Sequence, residues 1–471
     1  MNIARLVHPG FWFDKTPLEQ ALALAKRGVG GFCIYGGTRK KIAEFTKAVR
    51  QVSPLENLLI SADYEDGLGR WLPDAPLLPS NMALGAADDE NLAYEKGIIT
   101  AYQARSLGVD WVFAPVLDLA DNALNPIVNT RAFSSEPQQV IRLGRAFLRG
   151  LNDGGVLSSI KHCPGHGDTT TDSHVALPVL PKTKEQLLAR ELVPFAALLE
   201  NTDSVMFGHL LVPEIDPENP ASLSQKIVDE IVRHQFHYDG CILTDALLMK
   251  AIGDEKTAAL KALHAGVDIL LVPQEPFELI EFLEKTDISS EIITRALQHQ
   301  EVLCKKIKQR PPLPATNPWQ TDLPRRTARQ AIVQRGDLSP FKPGQTVSYL
   351  IVGDDGKTSA TPLLNLLEKN GVRVVPFENT TENLLVICLR RYQAFAGKIA
   401  LEEKDTVRLK NALANASRTV SVLLASPWAL PKELSTECSL YTFSPAPEFQ
   451  ETAAEILLGQ QQARGKMPVS L

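Results

Sequence analysis

The stretch "GVLSSIKHCPG" at 155–165 is a short apolar run that ends in polar residues and glycine. Six similar runs begin near residues 30, 57, 110, 203, 240 and 267, and amphipathic segments such as "PLEQALALAKRG" lie between them. Alternation of this kind is typical of parallel strands joined by helices. With "IARLVHPGFW" as a first strand there are eight runs, which predicts an α/β fold of the (β/α)8, or TIM-type, barrel class.

The rest of the chain predicts a second, smaller domain. A Pro-rich stretch, "KQRPPLPATNPWQTDLP" at 308–324, follows a long helical pattern and is typical of an exposed connector. We predict a catalytic barrel at 1–309, a linker at 310–325 and an αβα sandwich at 326–471. The expected strands of the sandwich are "TVSYLIVGDD", "VRVVPFEN", "NLLVICLRR", "RTVSVLLAS" and "SLYTFSPA".

Composition narrows the functional class. The 471 residues carry a net charge of −6 without blocks of like charge, which argues against a nucleic-acid partner. The sequence has no signal peptide and no apolar run of about 18 residues, so we expect a cytoplasmic protein that does not bind or span a membrane. Six cysteines without paired spacing indicate reduced thiols. A monomer or homodimer is expected.

Polar residues close most of the predicted barrel strands. In a parallel barrel the strands end at one rim, where catalytic residues of this fold class lie. Any one of these side chains alone could be a helix cap or a loop partner, but their shared position at one rim predicts a functional site. The residues at these ends are Asp63, Glu65, Asp118, Lys161, His162, His209 and Asp245.

The loop "KHCPGHGDTTTDSH" at 161–174 concentrates proton carriers. His162, Cys163, His166 and His174 could in principle bind zinc, but their spacing fits no common structural site and Lys161 opposes the charge of a metal. No metal or organic cofactor is therefore expected. His166 is expected to help fold the loop rather than to act as a catalyst.

Four motifs stand in order along the chain: "ADYEDGLGR", "FAPVLDLADNALNPIVNTRAF", "KHCPGHGDTTTDSH" and "ILTDALLMKAI". Together they resemble those of the β-N-acetylhexosaminidases of glycoside hydrolase family 3, especially the bacterial enzymes that recycle muropeptides. The resemblance extends to "ARQAIVQRG" near 328 and to the terminal "AAEILLGQQQARGKMPVSL", which are similar to the edges of the second domain in two-domain members. Departures from the family pattern occur at Asp66, Cys163 and Ala246.

The resemblance implies roles for individual residues. Asp245 matches the nucleophile of a retaining glycosidase, and its place after the buried run "CILT" would hold it rigidly, although a helix cap is the alternative. His174 matches the acid/base, with Asp172 as its partner. An imidazole titrates near pH 6.5 and can therefore serve both steps.

The sugar-binding residues also follow from the resemblance, which places the hydroxyls of the nonreducing sugar on Asp63, Arg131, Lys161 and His162. Charged and polar groups suit hydroxyls, which both donate and accept hydrogen bonds. His209 is a weaker candidate for substrate binding and, like Asp118, could instead support the wall of the pocket.

These assignments predict a retaining exo-β-N-acetylglucosaminidase that removes terminal GlcNAc from muropeptide-like saccharides. Its expected partner is a small saccharide with a terminal β-GlcNAc. Three alternatives stay open at this point. Glu65 could be the general acid, the enzyme could transfer the sugar to phosphate, or the chain could be a sugar-binding protein without catalysis.

Overall fold

The computed structural model describes residues 2–171, 176–354, 356, 358–390 and 399–471. Residues up to 308 form a first lobe in which strands and helices alternate. Its strands are β1 (Val7–His8), β2 (Gly10–Trp12), β3 (Gly31–Tyr35), β4 (Leu59–Ala62), β5 (Trp111–Val112), β6 (Leu157–Cys163), β7 (Ser204–Phe207), β8 (Cys241–Thr244) and β9 (Leu270–Leu271). Its α-helices are α1 (Leu18–Arg27), α2 (Arg39–Val52), α3 (Asn81–Ala87), α4 (Glu90–Ser106), α5 (Pro137–Asp153), α6 (Lys184–Ala189), α7 (Val193–Leu198), α8 (Glu255–Ala265), α9 (Pro276–Lys285) and α10 (Ser290–Lys308). A π-type helix, Lys226–Gln235, precedes β8.

The strands of the first lobe close into a barrel. Strands β2 to β8 form a parallel sheet in sequential order, and β1 pairs in parallel with β9. A bridge between Leu243 and Ile269 joins the end of β8 to the start of β9. Because β1 runs directly into β2, these two short strands share one of eight positions around the barrel. The predicted TIM-type fold is confirmed.

Helices in this lobe begin and end at residues that commonly cap helices. Helix α1 ends at Gly28, which has φ of +87°, a conformation that costs glycine little. Helix α2 begins after Thr38, whose hydroxyl accepts a hydrogen bond from the backbone N–H of Lys41. Phe45 and Val49 of α2 are buried, so the apolar face of the helix packs on the barrel.

The prediction of one continuous first strand is wrong. Ile3–Leu6 form a short 3-10 helix, whose backbone is capped by the side chain of Asn2. Pro9 separates the two strands that follow and lacks the N–H that a ladder needs. Short apolar runs do not distinguish a strand from a buried turn, and here the turn buries Ile3 and Leu6.

His8 of β1 is a buried titratable group in the barrel core. It is fully buried beside Trp111, and the backbone of Gly30 and Gly31 passes so close to its ring that a Cβ at either glycine would collide with it. Burial and the nearby Arg5 lower the pKa of His8 to about 3. The folded protein therefore keeps this ring neutral, whereas the unfolded chain takes up a proton near pH 6.5.

We expect this histidine to make the fold sensitive to acid. Its contribution to stability is complete above pH 6.5 and is lost as the pH falls toward 3, because only the unfolded state binds the proton. The free energy of unfolding should fall by about 2.5 kcal/mol more in the wild type than in His8→Leu between pH 7 and pH 4.5. Urea unfolding of both proteins at both pH values measures this difference, and equal losses would contradict it.

A second lobe follows, from residue 323 onward. Its strands are β10 (Val333–Arg335), β11 (Thr346–Val352), β12 (Arg373–Pro376), β13 (Thr381–Cys388), β14 (Ala416–Leu423) and β15 (Cys438–Tyr441). Its helices are α11 (Leu323–Ala331), α12 (Thr361–Lys369), α13 (Glu403–Ala414) and α14 (Pro447–Leu457). The sheet order is β10, β15, β14, β13, β11, β12. Among the strands of the described residues in this lobe, only β10, which was not predicted from the sequence, is antiparallel.

Both faces of this sheet are covered by helices. Along β13, Leu385 and Ile387 belong to the apolar core shared with α12 and α14. Leu384 and Val386 belong to a second core, which contains Leu409 of α13. Alternate residues of one strand thus pack on opposite sides, as the predicted αβα sandwich requires.

The two lobes share part of one core. Met82, Ala83 and Ala86 of α3 pack in the same apolar cluster as the second-lobe helices. Beside them, the hydroxyl of Ser80 donates to the backbone carbonyl of Phe443 at 2.8 Å. The proposed domain boundaries at 310–325 stay a prediction. The structure adds that α11 begins at Leu323, inside that range.

All six cysteines are buried and unpaired. None of the helices in the described part of the chain has the length and apolar character needed to cross a bilayer.

Candidate active site

A cavity of about 290 Å³ opens at the carboxyl ends of the barrel strands. Six charged side chains line it, three carboxylates and three cations, together with two histidines and an apolar wall. The charged residues and histidines are Asp63, Glu65, Arg70, Arg131, Lys161, His162, His166 and Asp245. The structure thus brings together the predicted residues Asp63, Arg131, Lys161, His162 and Asp245.

Glu65 lies at the centre of the charged cluster. The guanidinium of Arg131 donates two hydrogen bonds to the Glu65 carboxylate, at 2.8 and 2.6 Å. The ammonium of Lys161 lies 2.6 Å from Oε1 of the same carboxylate. Burial alone would raise the pKa of Glu65, but Arg131 and Lys161 hold it well below its usual range. Glu65 therefore stays ionised and fixes the two cations.

Lys161 connects this cluster to Asp63. Its ammonium donates to Asp63 Oδ1 at 2.6 Å, and the lysine is almost fully buried at the end of β6. Burial lowers the pKa of Lys161, but Asp63 and Glu65 more than offset this, so the pKa is raised. Asp63 is the more accessible partner, with a side chain 24% exposed. Its free lone pairs can accept hydrogen bonds from a ligand.

His162 has a defined tautomer. Its Nδ1 lies 2.6 Å from Asp118 Oδ2, and its Nε2 lies 3.2 Å from the guanidinium of Arg131. Because a guanidinium only donates, Nε2 must accept, and Nδ1 then carries the proton shared with Asp118. Asp118 is fully buried behind this ring, so it supports the wall rather than reaching the cavity.

His166 lies beside His162 and is also buried. Its Nδ1 is 2.7 Å from the hydroxyl of Thr169, which anchors the ring within the loop. Burial, followed by the neighbouring His162, lowers the pKa of His166 to about 4, so the ring is neutral near pH 7. The backbone N–H of His166 donates to Asp118 at 2.7 Å. This geometry agrees with the predicted loop-folding role.

Asp245 follows β8 directly and is held by the backbone on both sides. Its N–H donates to the carbonyl of Phe207, and its Oδ1 accepts from the N–H of Ala246 at 2.8 Å. The side chain lines the cavity and is partly exposed. A short carboxylate on such a rigid segment can be presented to one atom of a bound ligand.

His209 is not among the residues that line the cavity, although we predicted it as a substrate-binding residue. Its ring is fully buried, with Nδ1 2.7 Å from the hydroxyl of Ser222 and Nε2 3.1 Å from the carbonyl of Ala246. It therefore lies behind the segment that carries Asp245, in a supporting position. A strand-end position does not reveal which side of the rim a ring occupies.

The aromatic part of the cavity wall was not predicted from the sequence. The rings of Trp12 and Tyr35 stack at 4.9 Å, and Trp71 meets Tyr35 edge-on at 5.5 Å. Trp12 and Tyr35 are the last residues of β2 and β3, so the strand-end argument would have found them had it included aromatic residues. Arg70, also missed, stands in the quoted motif "ADYEDGLGR".

Asp66 and Ala246, two of the departures from the family pattern, both make hydrogen bonds in the structure. Asp66 accepts from the buried ammonium of Lys96 at 3.2 Å, and Lys96 also donates to Asn81 at 2.7 Å. Burial lowers the pKa of Lys96 despite this carboxylate. Ala246 contributes only its backbone, to Asp245 and to His209. Both changes leave Asp245 and the charged residues named above in place around the cavity.

The predicted acid/base pair, Asp172 and His174, lies outside the described residues. The loop on either side of the pair is anchored, since Lys182 contacts Asp168 at 2.9 Å. Within the described ranges, no group of histidine, cysteine and acidic residues is suited to hold a metal ion. Cys163, a member of the zinc alternative, is buried, and burial raises the pKa of its thiol well above the usual range.

Comparison with known proteins relates this geometry to a family. Residues 2–302 match the glycosyl hydrolase family 3 N-terminal domain. A β-hexosaminidase of Pseudomonas aeruginosa is 36% identical over 254 residues, which span 52% of this chain and 75% of that protein. A β-hexosaminidase of Idiomarina loihiensis is 31% identical over 276 residues, 56% of this chain and 83% of that protein. The structure of a family 3 β-N-acetylglucosaminidase from Paenibacillus covers 100% of this chain and 98% of its own, with a TM-score of 0.86 and 26% identity.

Proposed function

Because the chain belongs to glycosyl hydrolase family 3 and is therefore a glycoside hydrolase, we propose that it is a retaining exo-β-N-acetylglucosaminidase. It would remove terminal GlcNAc from muropeptide-like saccharides. The relatives named β-hexosaminidase and the Paenibacillus β-N-acetylglucosaminidase support this choice of sugar. A cytoplasmic location and recycling of peptidoglycan are parts of the same proposal.

One observation carries the proposal: a partly exposed carboxylate, Asp245, shares a small cavity with charged groups that can orient sugar hydroxyls. Ligand pockets commonly measure ~300 Å³ or more, so a cavity of about 290 Å³ suits a single terminal ring. Asp63, Arg131 and Lys161 provide acceptors and donors on one side. The aromatic residues Trp12 and Trp71 provide a surface for the apolar part of the ring.

The proposed reaction proceeds in two steps. In the first, a carboxylate oxygen of Asp245 attacks the anomeric carbon, the bond to the leaving oxygen breaks, and His174 donates a proton to that oxygen. In the second, His174 takes a proton from water, the water oxygen bonds to the anomeric carbon, and the bond to Asp245 breaks. Two inversions give net retention, and both residues return to their starting states.

Glu65 does not suit the role of general acid. A general acid must carry a proton at the working pH, but Arg131 and Lys161 hold the pKa of Glu65 well below its usual range despite burial. Glu65 is also almost fully buried, at 2% exposure. These facts favour His174 with Asp172 as the acid/base pair.

The test of the proposed function compares two substrates. The purified protein should release p-nitrophenol from the aryl β-GlcNAc glycoside and not from the matching β-glucoside. Running the reaction with and without phosphate separates hydrolysis from transfer to phosphate, since only transfer yields the sugar 1-phosphate. Equal activity on both glycosides would contradict the assigned specificity, and sugar 1-phosphate as the main product would make the enzyme a phosphorylase.

We expect kcat/KM of the His174→Ala variant to fall steeply as the pKa of the leaving group rises. An activated aryl group departs without protonation, so this variant should form the covalent intermediate almost normally with such substrates, whereas cleavage of a sugar aglycone should fall by about 10²- to 10⁴-fold. Measuring kcat/KM over a series of aryl β-GlcNAc substrates gives the slope against leaving-group pKa. Asp172→Asn should show a milder form of the same trend.

Azide provides a further check on this prediction. It needs no base, so it should restore the second step in His174→Ala and yield the glycosyl azide. A slope for His174→Ala no steeper than that of the wild type would count against the acid/base assignment.

A further inference from the structure

A hydrogen bond from the second lobe reaches the turn that carries Arg131. The turn is a short 3-10 helix, Asn129–Arg131, at the barrel rim. The side-chain N–H of Asn129 donates to the hydroxyl oxygen of Ser426 at 3.1 Å. We propose that Ser426 is a positioning residue, through which the second lobe sets the geometry of Arg131 in the sugar pocket. This inference rests on the role of Arg131 in the proposed function.

The bond between Asn129 and Ser426 is fully enclosed. Asn129 is 1% exposed and Ser426 is 0% exposed, so water cannot replace either partner. A buried N–H without an acceptor carries a substantial energetic penalty, which the turn can avoid only by moving. Asn129 also has φ of +42°, and its side-chain oxygen accepts from the N–H of Thr130 at 2.9 Å. Its side chain therefore holds both the turn and the contact to the second lobe.

Arg131 is sensitive to small shifts of this turn. Its guanidinium makes a two-bond fork with Glu65 and also contacts Nε2 of His162. Fork geometry requires both bonds to align at once, so a displacement of about an ångström disrupts it and the orientation of a bound ligand. The carbonyl of Arg131 is fixed independently by Asn81, at 2.7 Å. The two anchors hold the turn from opposite ends.

Ser426 lies outside the part of the chain that the family match covers, which ends at residue 302. It follows β14 in the second lobe, where its hydroxyl also accepts from the N–H of Trp428 at 3.3 Å. Its backbone N–H contacts the carbonyl of Arg390 at 3.4 Å, which ties it to the end of β13. The acceptor offered to Asn129 thus comes from the carboxyl end of a central strand of the second-lobe sheet and not from the barrel itself.

The experiment compares Ser426→Ala with a matched control, Ser421→Ala. Ser421 is also fully buried and lies in β14, but its hydroxyl bonds to Ser439 and Thr436 within the second lobe. On an aryl β-GlcNAc substrate we expect Ser426→Ala to lower kcat/KM roughly tenfold, mainly through KM, and Ser421→Ala to leave it unchanged. Thermal unfolding of both variants shows whether each is folded. Equal effects of the two substitutions would overturn the inference.

A double-mutant cycle tests whether the effect acts through Arg131. With an activated aryl substrate, Ser426→Ala should lower kcat/KM when Arg131 is present. In a protein that already carries Arg131→Ala, adding Ser426→Ala should have no further effect. An undiminished effect in Arg131→Ala would refute positioning through this residue. If Arg131→Ala itself kept wild-type efficiency, the proposed sugar pocket would be the part that fails.

A second route to the same bond is Asn129→Gly. Glycine accepts the positive φ, so this variant removes the side-chain bond while the backbone conformation stays accessible. It should lower kcat/KM at least as much as Ser426→Ala, again mainly through KM, because it also removes the bond from the N–H of Thr130. Wild-type kinetics for a folded Asn129→Gly would contradict the inference even if Ser426→Ala failed to fold.

Discussion

Asp245→Ala is expected to fold normally and to lose turnover by a factor on the order of 10⁴ or more, because the covalent intermediate cannot form. The carboxylate is partly exposed at the rim, and its backbone bond to Phe207 does not depend on the side chain. The fold should therefore tolerate the change. The measurement is kcat on an activated aryl β-GlcNAc substrate, together with the thermal unfolding temperature.

Asp254→Ala is a control from the same connection of the barrel. Asp254 caps α8 by accepting from the N–H of Thr257 at 2.9 Å, so its loss should slightly reduce stability and leave kcat unchanged. Labelling with a 5-fluoro-GlcNAc donor identifies the nucleophile directly, and peptide mass spectrometry should find the label on Asp245. A label on Glu65, or substantial turnover by Asp245→Ala, would reject the assignment.

Arg131→Ala should lower kcat/KM for aryl β-GlcNAc by about 10³-fold, since it removes charge-assisted hydrogen bonds to the sugar and releases Glu65 from its fork. The free energy of unfolding should also fall, because the buried carboxylate of Glu65 then keeps only Lys161 and Arg70 as close cations among the described residues. Arg131→Lys keeps the charge without the fork and should recover only a fraction of the efficiency.

Arg142→Ala provides the comparison for Arg131→Ala. Arg142 lies on α5 and pairs with Asp88 at the surface, where its side chain is 44% exposed. Surface ion pairs contribute little, so activity and stability should both stay close to the wild type. Wild-type efficiency in Arg131→Ala would show that the sugar binds elsewhere.

The barrel was predictable because its strands are buried on both faces and therefore stand in the sequence as short apolar runs. Counting these runs is enough to predict eight positions around a barrel. The positions of Asp63, Lys161 and Asp245 in the cavity were also predictable, since parallel strands end at one rim. For His209 the sequence left substrate binding and wall support open, because sequence position does not tell which side of the rim a side chain occupies, and the structure places its ring behind the segment that carries Asp245. Arg131 lies in a loop far from any strand end, and only the family motif indicated it. The fork to Glu65 and the contact with Ser426 are tertiary, and no local pattern encodes them.

The apolar face of α3 and the turn beyond it have a consequence for the protein during synthesis. Ser134 donates to the carbonyl of Pro468, and Met82 and Ala83 pack with helices of the second lobe. A ribosome adding roughly 10 residues per second needs about half a minute to pass from this turn to Pro468. From the completion of β9 at Leu271 until Pro468 is made, the barrel exposes the apolar face of α3, and the turn that carries Arg131 lacks its contacts with the second lobe. The enzyme should therefore become active only late in translation. Chaperones can best bind the exposed apolar face of α3 before that point.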